Sequence, residues 1–160
     1  MFKEPNMQKM TLAIGAMALG LATALSATLS AASPQQSIEA RQKSFKAMGK
    51  AMKEAGDSLK TGTPDLAIMK ASAALVAGNA GKIEKWFPVG TATGGAIKTA
   101  AKPDIWSDKA GFAKAANDFS SAAKAFDMAA RGKDTAAMAK AMGALGGTCK
   151  GCHDKFRLKD

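Results

Sequence analysis

Four stretches of this chain carry apolar residues at separations that alternate between three and four, the spacing of a helix with one buried face. In the first, Ile38, Arg41, Phe45, Met48, Met52, Ala55 and Leu59 form the stripe, with an arginine where an apolar residue belongs. The second reads Leu66, Met69, Ala73, Val76, Ala80, Ile83 and Phe87. In the third, Ile105, Phe112, Phe119 and Phe126 recur every seven residues beside the small residues Ala115, Ala122 and Ala129. Large-against-small alternation of this kind lets two helices approach closely while the rings fill the interior. The fourth stripe is Met138, Met142, Leu145, Cys149, Cys152 and Phe156.

The punctuation between the stripes agrees with helices. Ser33-Pro34 gives an N-cap residue followed by proline at the first helical position, and Gly56 then Thr61-Gly62 mark a fraying end. Thr63-Pro64 repeats the start signal, and Pro88 stops the second helix after Phe87. From Pro88 to Lys102 the chain carries Gly90, Gly94 and Gly95 and no stripe, which makes it the one long connection. Pro103-Asp104 starts the third helix, Arg131-Gly132-Lys133 ends it, and Asp134 caps the fourth. Four amphipathic helices with short, long and short connections predict an all-α, antiparallel up-down-up-down four-helix bundle. Gly143, Gly146 and Gly147 lie inside the fourth helix, where they either clear room for a flat cofactor or let the helix kink.

Charge and composition narrow the function more than the fold. The chain has 160 residues, a formal net charge of +10 and a pI near 9.8. This balance favours acidic partners or anionic surfaces. Nucleic acid is a poor fit, because the lysines are spread along all four segments without interleaved aromatics and no binding motif is present.

The chemistry is concentrated in Cys149-Lys150-Gly151-Cys152-His153, which uses both cysteines and the single histidine of the chain. On a helix, positions 149, 152 and 153 leave from one face, so two thiols and an imidazole point the same way. A C-x-x-C-H run attaches haem c: each sulfur bonds one porphyrin vinyl group and the histidine reaches the iron. A thioredoxin-like redox pair would follow a strand in a βαβ setting, structural zinc wants four ligands, and a disulfide would leave His153 without a purpose. Because both cysteines sit on the seam of the fourth helix, the porphyrin is expected inside the bundle. Arg41, interrupting the first seam, needs an anion there, and a haem propionate would serve; the alternative is a side chain that snorkels to water. With His153 committed to iron, no paired-carboxylate or nucleophile constellation remains, so the chain is not expected to be an enzyme.

Residues 1–32 read as a secretory signal peptide: Lys3 and Lys9 precede the apolar run Thr11 to Leu29, and Ser30-Ala31-Ala32 offers small residues for cleavage after Ala32. The rival is an uncleaved anchor. Cleavage removes Lys3, Glu4 and Lys9, leaving a bundle domain over 33–160 with charge +9 and no membrane span. Export suits the chemistry, since bacteria attach c-type haem outside the cytoplasm.

Taken together, Arg41-Gln42 with Phe45, the turn Phe87-Pro88-Val89-Gly90-Thr91, Pro103-Asp104-Ile105-Trp106, and Cys149 through Arg157 resemble the class II c-type cytochromes, and within them the cytochromes c′. The resemblance covers essentially all of 33–160 and implies a monohaem four-helix bundle of the Gram-negative periplasm, often a homodimer. It also implies five-coordinate, high-spin iron that binds NO or CO at a hydrophobic distal face. By this resemblance Cys149 and Cys152 carry the thioether links, His153 is the proximal ligand, and Arg41 and Gln42 meet the haem edge. Thr91 and Ala92 match the loop that lines the haem, with contacts expected through backbone groups because their side chains are small. Phe45 falls at the distal position, where phenylalanine offers no lone pair, whereas a related low-spin subfamily has methionine there. Met48, one turn on, is either core or a sixth ligand; the second option would make the chain a low-spin electron-transfer cytochrome. Arg157, four residues after His153, matches an arginine on the proximal side or belongs to an ordinary basic tail. A reading of another class is a thiol-disulfide oxidoreductase using Cys149 and Cys152. A redox partner, if one exists, should present an acidic surface to the +9 domain.

Overall fold

The computed structural model describes residues 32–95 and 97–159, so the expected leader lies outside them up to Ala31. Helix α1, Pro34–Lys60, begins in a capping box. The Ser33 hydroxyl accepts from the Gln36 amide N–H at 3.2 Å and the Gln36 side chain accepts from the Ser33 N–H at 2.8 Å. The helix closes at Thr61, with Gly62 in left-handed backbone (φ 78°), as the sequence predicts. Gly56 does not fray. It lies within α1, where a Cβ would come to 3.1 Å from Met142 Cε, so the missing side chain lets α1 approach the last helix.

The second helix is shorter than its stripe suggests. Asp65, not Thr63, caps α2, Leu66–Ala80, with its carboxylate accepting from the Ala67 and Ile68 N–H groups at 2.7 and 3.2 Å. After Gly81 the chain tightens into a 3₁₀ turn, Ile83–Trp86. Ile83 stays buried and Trp86 and Phe87 half-buried, so the apolar spacing survives a change of helix type.

The third predicted helix is two pieces. A single turn, α3, Asp104–Ser107, breaks at Asp108, whose side chain then caps α4, Lys109–Arg131, by accepting from the Gly111 N–H at 2.9 Å. The other oxygen of Asp108 pairs with Lys155 Nζ at 2.5 Å. Ile105, Phe112, Phe119 and Phe126 are all buried, but the alanines that complete the face are Ala116, Ala123 and Ala130, each four residues after a phenylalanine; Ala115, Ala122 and Ala129 are half-buried. A Cβ on Gly111 would fall 2.2 Å from Asp108 Oδ2 and 2.7 Å from Lys155 Nζ, displacing cap and ion pair together. Gly111→Ala should therefore lower Tm by about 3 °C in thermal unfolding followed by circular dichroism.

Helix α5, Thr135–Phe156, is capped by Asp134 and runs as one continuous helix through Gly143, Gly146 and Gly147. No neighbouring atom lies within 4 Å of a Cβ built on any of the three. Helices α1, α2, α4 and α5 form the bundle, with α1 on α2, α2 on α4, and α4 on α5; the fourth side, between α1 and α5, is only sparsely in contact. The long connection is pinned to the end of α5. The Lys102 N–H donates to Phe156 O at 3.0 Å and the Leu158 N–H to Ala100 O at 2.8 Å, around an antiparallel bridge between Ala101 and Arg157. Among the described residues no helix is long and apolar enough to cross a membrane.

Candidate haem site

Cys149, Cys152 and His153 occupy the last two turns of α5. Both cysteines are free thiols, half-buried against the hydrophobic core. Burial pushes the Cys149 thiol above its ordinary pKa, and does the same to Cys152, where the neighbouring Cys149 adds to the effect. A dithiol oxidoreductase needs the opposite, an attacking sulfur ionised near neutral pH, so the environment argues against that reading. Nor do the described residues contain a group of three or more His, Cys, Asp and Glu side chains placed to hold a metal ion, as a zinc site would require. His153 opens to solvent at the surface of α5. Partial burial, and after it the positive charge of Arg157, hold the imidazole below its ordinary pKa, with Asp154 opposing them. The neutral ring keeps a lone pair available for a metal.

Across the sparsely contacted side stands α1. Arg41 does not snorkel: it is 2% exposed. Its Nη1 donates to Thr91 Oγ1 at 2.7 Å and Trp86 O at 3.5 Å, and its Nη2 to Thr91 O at 2.5 Å and Thr99 Oγ1 at 2.8 Å. The guanidinium also lies 4.5 Å over the Phe87 ring. Every one of these partners is neutral. Desolvation lowers the Arg41 pKa with no carboxylate recorded against it, and an arginine remains charged regardless. Thr91 is fully buried and engages Arg41 through its hydroxyl as well as its carbonyl, where the sequence suggested backbone contact alone; its own hydroxyl donates to Pro88 O at 2.8 Å. Gln42, half-buried, donates to Lys98 O at 3.2 Å, and Ala92 is half-buried in the same loop.

Phe45 sits edge-on to Trp86, with centroids 5.3 Å apart, and 6.2 Å from Phe87. The aromatic series continues from Phe87 to Phe112 at 5.1 Å and on to Phe156 at 5.3 Å, joining α1 to the end of the cysteine helix. Met48 is 5% exposed within the core cluster. Arg157 lies just past α5 in extended backbone rather than on a further helical turn, yet its N–H reaches His153 O at 3.0 Å and its charge is felt by the imidazole. Thr99 and Trp86 were not singled out by sequence. Thr99 has no periodic signal in a glycine-rich loop, and Trp86 lies one residue before the recognisable turn that starts at Phe87.

These features fit a haem c. Two half-buried thiols and an imidazole lie together at the end of α5, a buried cation with only neutral partners lies on α1, and a series of ring contacts joins the two helices.

The family model for cytochrome C′ matches residues 36–157. The chain belongs to the cytochrome c′ family. The cytochrome c′ of Rubrivivax gelatinosus is 43% identical over 61 residues, covering 38% of this chain and 47% of that protein. The chain spans roughly half the length of the curated relatives it matches. Its fold is similar to the crystal structure of cytochrome c′ from Thermochromatium tepidum, with a TM-score of 0.75 and 31% identity, covering 80% of this chain and 98% of that one. It is also similar to a ferrous, NO-bound variant of cytochrome c′ from Alcaligenes xylosoxidans, with a TM-score of 0.72 and 26% identity over 82% and 100% of the two chains. A cytochrome c′ holds its haem c covalently, and Cys149 and Cys152 are the two cysteines this chain has for the purpose.

Proposed function

We propose that this cytochrome c′ is an exported monohaem protein whose iron is bound by His153 on one side and left five-coordinate and high-spin on the other, where NO or CO binds. It passes single electrons and does not turn over a substrate. The observation that carries this reading is Phe45, half-buried edge-on against Trp86 at 5.3 Å. A hydrocarbon ring backed by a second aromatic side chain excludes water and anions from the space it faces and offers no sixth ligand. When bound, the haem would supply a redox-active iron able to take up a small gas. Cys149 and Cys152 fix its orientation, and the His153 lone pair holds the metal. Arg41, kept in place by Thr91 and Thr99, would neutralise a haem propionate entering this otherwise apolar seam. Gln42, Thr91 and Ala92 line its edge from the loop side, and Arg157 stands on the proximal side by the imidazole. Met48 fills the core.

An NO complex and a CO complex, each of a variant of the Alcaligenes xylosoxidans relative, support the choice of gases. Substituting the distal ring provides the test. Phe45→Met should convert the ferric protein to a six-coordinate low-spin form and slow CO binding to the ferrous form by about tenfold or more, while Met48→Leu leaves both unchanged. Loss of a low-spin signal on Met48→Leu would instead show that Met48 was the ligand.

Export to the periplasm rests on the leader pattern of residues 1–32 and the need to attach haem outside the cytoplasm. Homodimer formation has its support in α2, which exposes Ile68 and Leu75 at 40% and 39% on a mostly apolar helix whose one charged residue is Lys70. One structurally similar cytochrome c′ is described by a ligand-controlled dissociation of its dimer. Replacing both Ile68 and Leu75 with glutamate should yield a monomer in sedimentation velocity without lowering Tm; a wild-type monomer would remove the proposal.

A further inference from the structure

Folding gathers positive charge at one place that the sequence does not reveal. The backbone pairing of residues 100–102 with 156–158 brings Lys98 and Lys102 from the long loop alongside Lys155, Arg157 and Lys159 from the end of α5. Lys102 Nζ donates to Lys155 O at 2.8 Å, which ties the two segments at their side chains too. The nearby carboxylates are Asp108, paired with Lys155, Asp154, paired with Lys150, and Asp104. Elsewhere some helix cations are matched by acids one turn away, Lys50 with Glu54, Lys53 and Lys60 with Asp57, Lys114 with Asp118 and Arg131 with Asp127, while others such as Lys43, Lys70, Lys124 and Lys140 stand apart along the helices with no ion pair recorded among the described residues. Among the described residues, no ion pair within 4 Å is recorded for Lys98, Lys102 or Lys159. Leu158, 42% exposed, sits amid these cations as an apolar centre with a charged rim. The clasp also adjoins His153, since the Arg157 N–H binds His153 O at 3.0 Å.

We propose that this clasp is the docking surface for an acidic protein that exchanges electrons with the cytochrome. It rests on the haem reading above. The cluster of cations beside His153 steers an acidic surface to the imidazole end of the site, and Leu158 is covered on docking. A membrane surface fits less well, because the apolar component is one leucine at the end of a helix rather than the outward face of an amphipathic helix.

The experiment compares the haem-loaded wild-type chain with two variants of equal net charge: Lys98→Glu with Lys159→Glu at the clasp, and Lys124→Glu with Lys140→Glu toward the opposite end of the bundle. One readout, which needs no haem, is the affinity for poly-L-glutamate at low salt by calorimetry. The other is the rate at which hexacyanoferrate(III) oxidises the ferrous protein, one electron leaving each iron to give ferric protein and hexacyanoferrate(II). The clasp variant should lose about fivefold or more in both and show a flattened salt dependence, with the opposite-end variant changing less than about twofold. Equal losses in the two variants would mean that net charge alone is at work and would overturn the proposal. So would phosphatidylglycerol vesicles that bind the wild-type clasp more tightly than poly-L-glutamate does. A colourless wild-type protein would refute the haem reading, while the poly-L-glutamate affinities would still decide the clasp.

Discussion

Replacing Cys149 and Cys152 together with alanine should reduce covalently bound haem from one per chain to none, read by haem staining after denaturing electrophoresis and by the mass of the intact protein. Each single variant should retain one thioether bond and part of the signal. Alanine suits this experiment because both sulfurs rest against the core at half-buried positions, so a small apolar side chain keeps the surroundings dry. The loss of apolar contact costs about 1 kcal/mol per site. The loss of a ligand held only by the folded state costs much more, so the double variant should also unfold at a distinctly lower temperature than the loaded protein. Haem that survives denaturation of the double variant would show that the pentapeptide is not the point of attachment.

Arg41→Leu should cost about 3 kcal/mol in urea unfolding. The substitution keeps the seam apolar but strips donors from Thr91 O, Thr91 Oγ1 and Thr99 Oγ1, which lie buried or half-buried. An acceptor left unpaired in such surroundings costs about 1–3 kcal/mol, and bonds to a charged donor are among the stronger ones. Arg41→Lys should recover less than half of the loss, because one ammonium cannot reach the two threonines that the guanidinium fork spans. A cost below about 1 kcal/mol for Arg41→Leu would mean that the loop holds itself in place without the arginine.

The parts of the fold legible in the sequence are those where side-chain burial and covalent chemistry leave a periodic or fixed-spacing trace. The seam of α1 and the buried series Ile105, Phe112, Phe119 and Phe126 are of this kind. The trace says less about backbone continuity. Ile83 and Ile105 remain buried although α2 has ended before one and α4 has not begun at the other, so a heptad count passes over the 3₁₀ turn and the break at Asp108. The pairing of alanines with phenylalanines was misplaced by one residue for a related reason: the partner on a helix face can be three or four positions away, and the sequence alone does not choose. The pentapeptide and Arg41 stood out because their chemistry is conspicuous against an apolar stripe. Thr99 and the clasp of residues 100–102 on 156–158 did not. They are made by hydrogen bonds between segments more than fifty residues apart in sequence, and no local pattern encodes such partners.

The central claim, a haem held by His153 and open opposite Phe45, is tested most directly by the electronic absorption and electron paramagnetic resonance spectra of the ferric wild-type protein without added ligand. The account predicts a five-coordinate, high-spin iron with one histidine ligand. A six-coordinate, low-spin, methionine-ligated spectrum would contradict it.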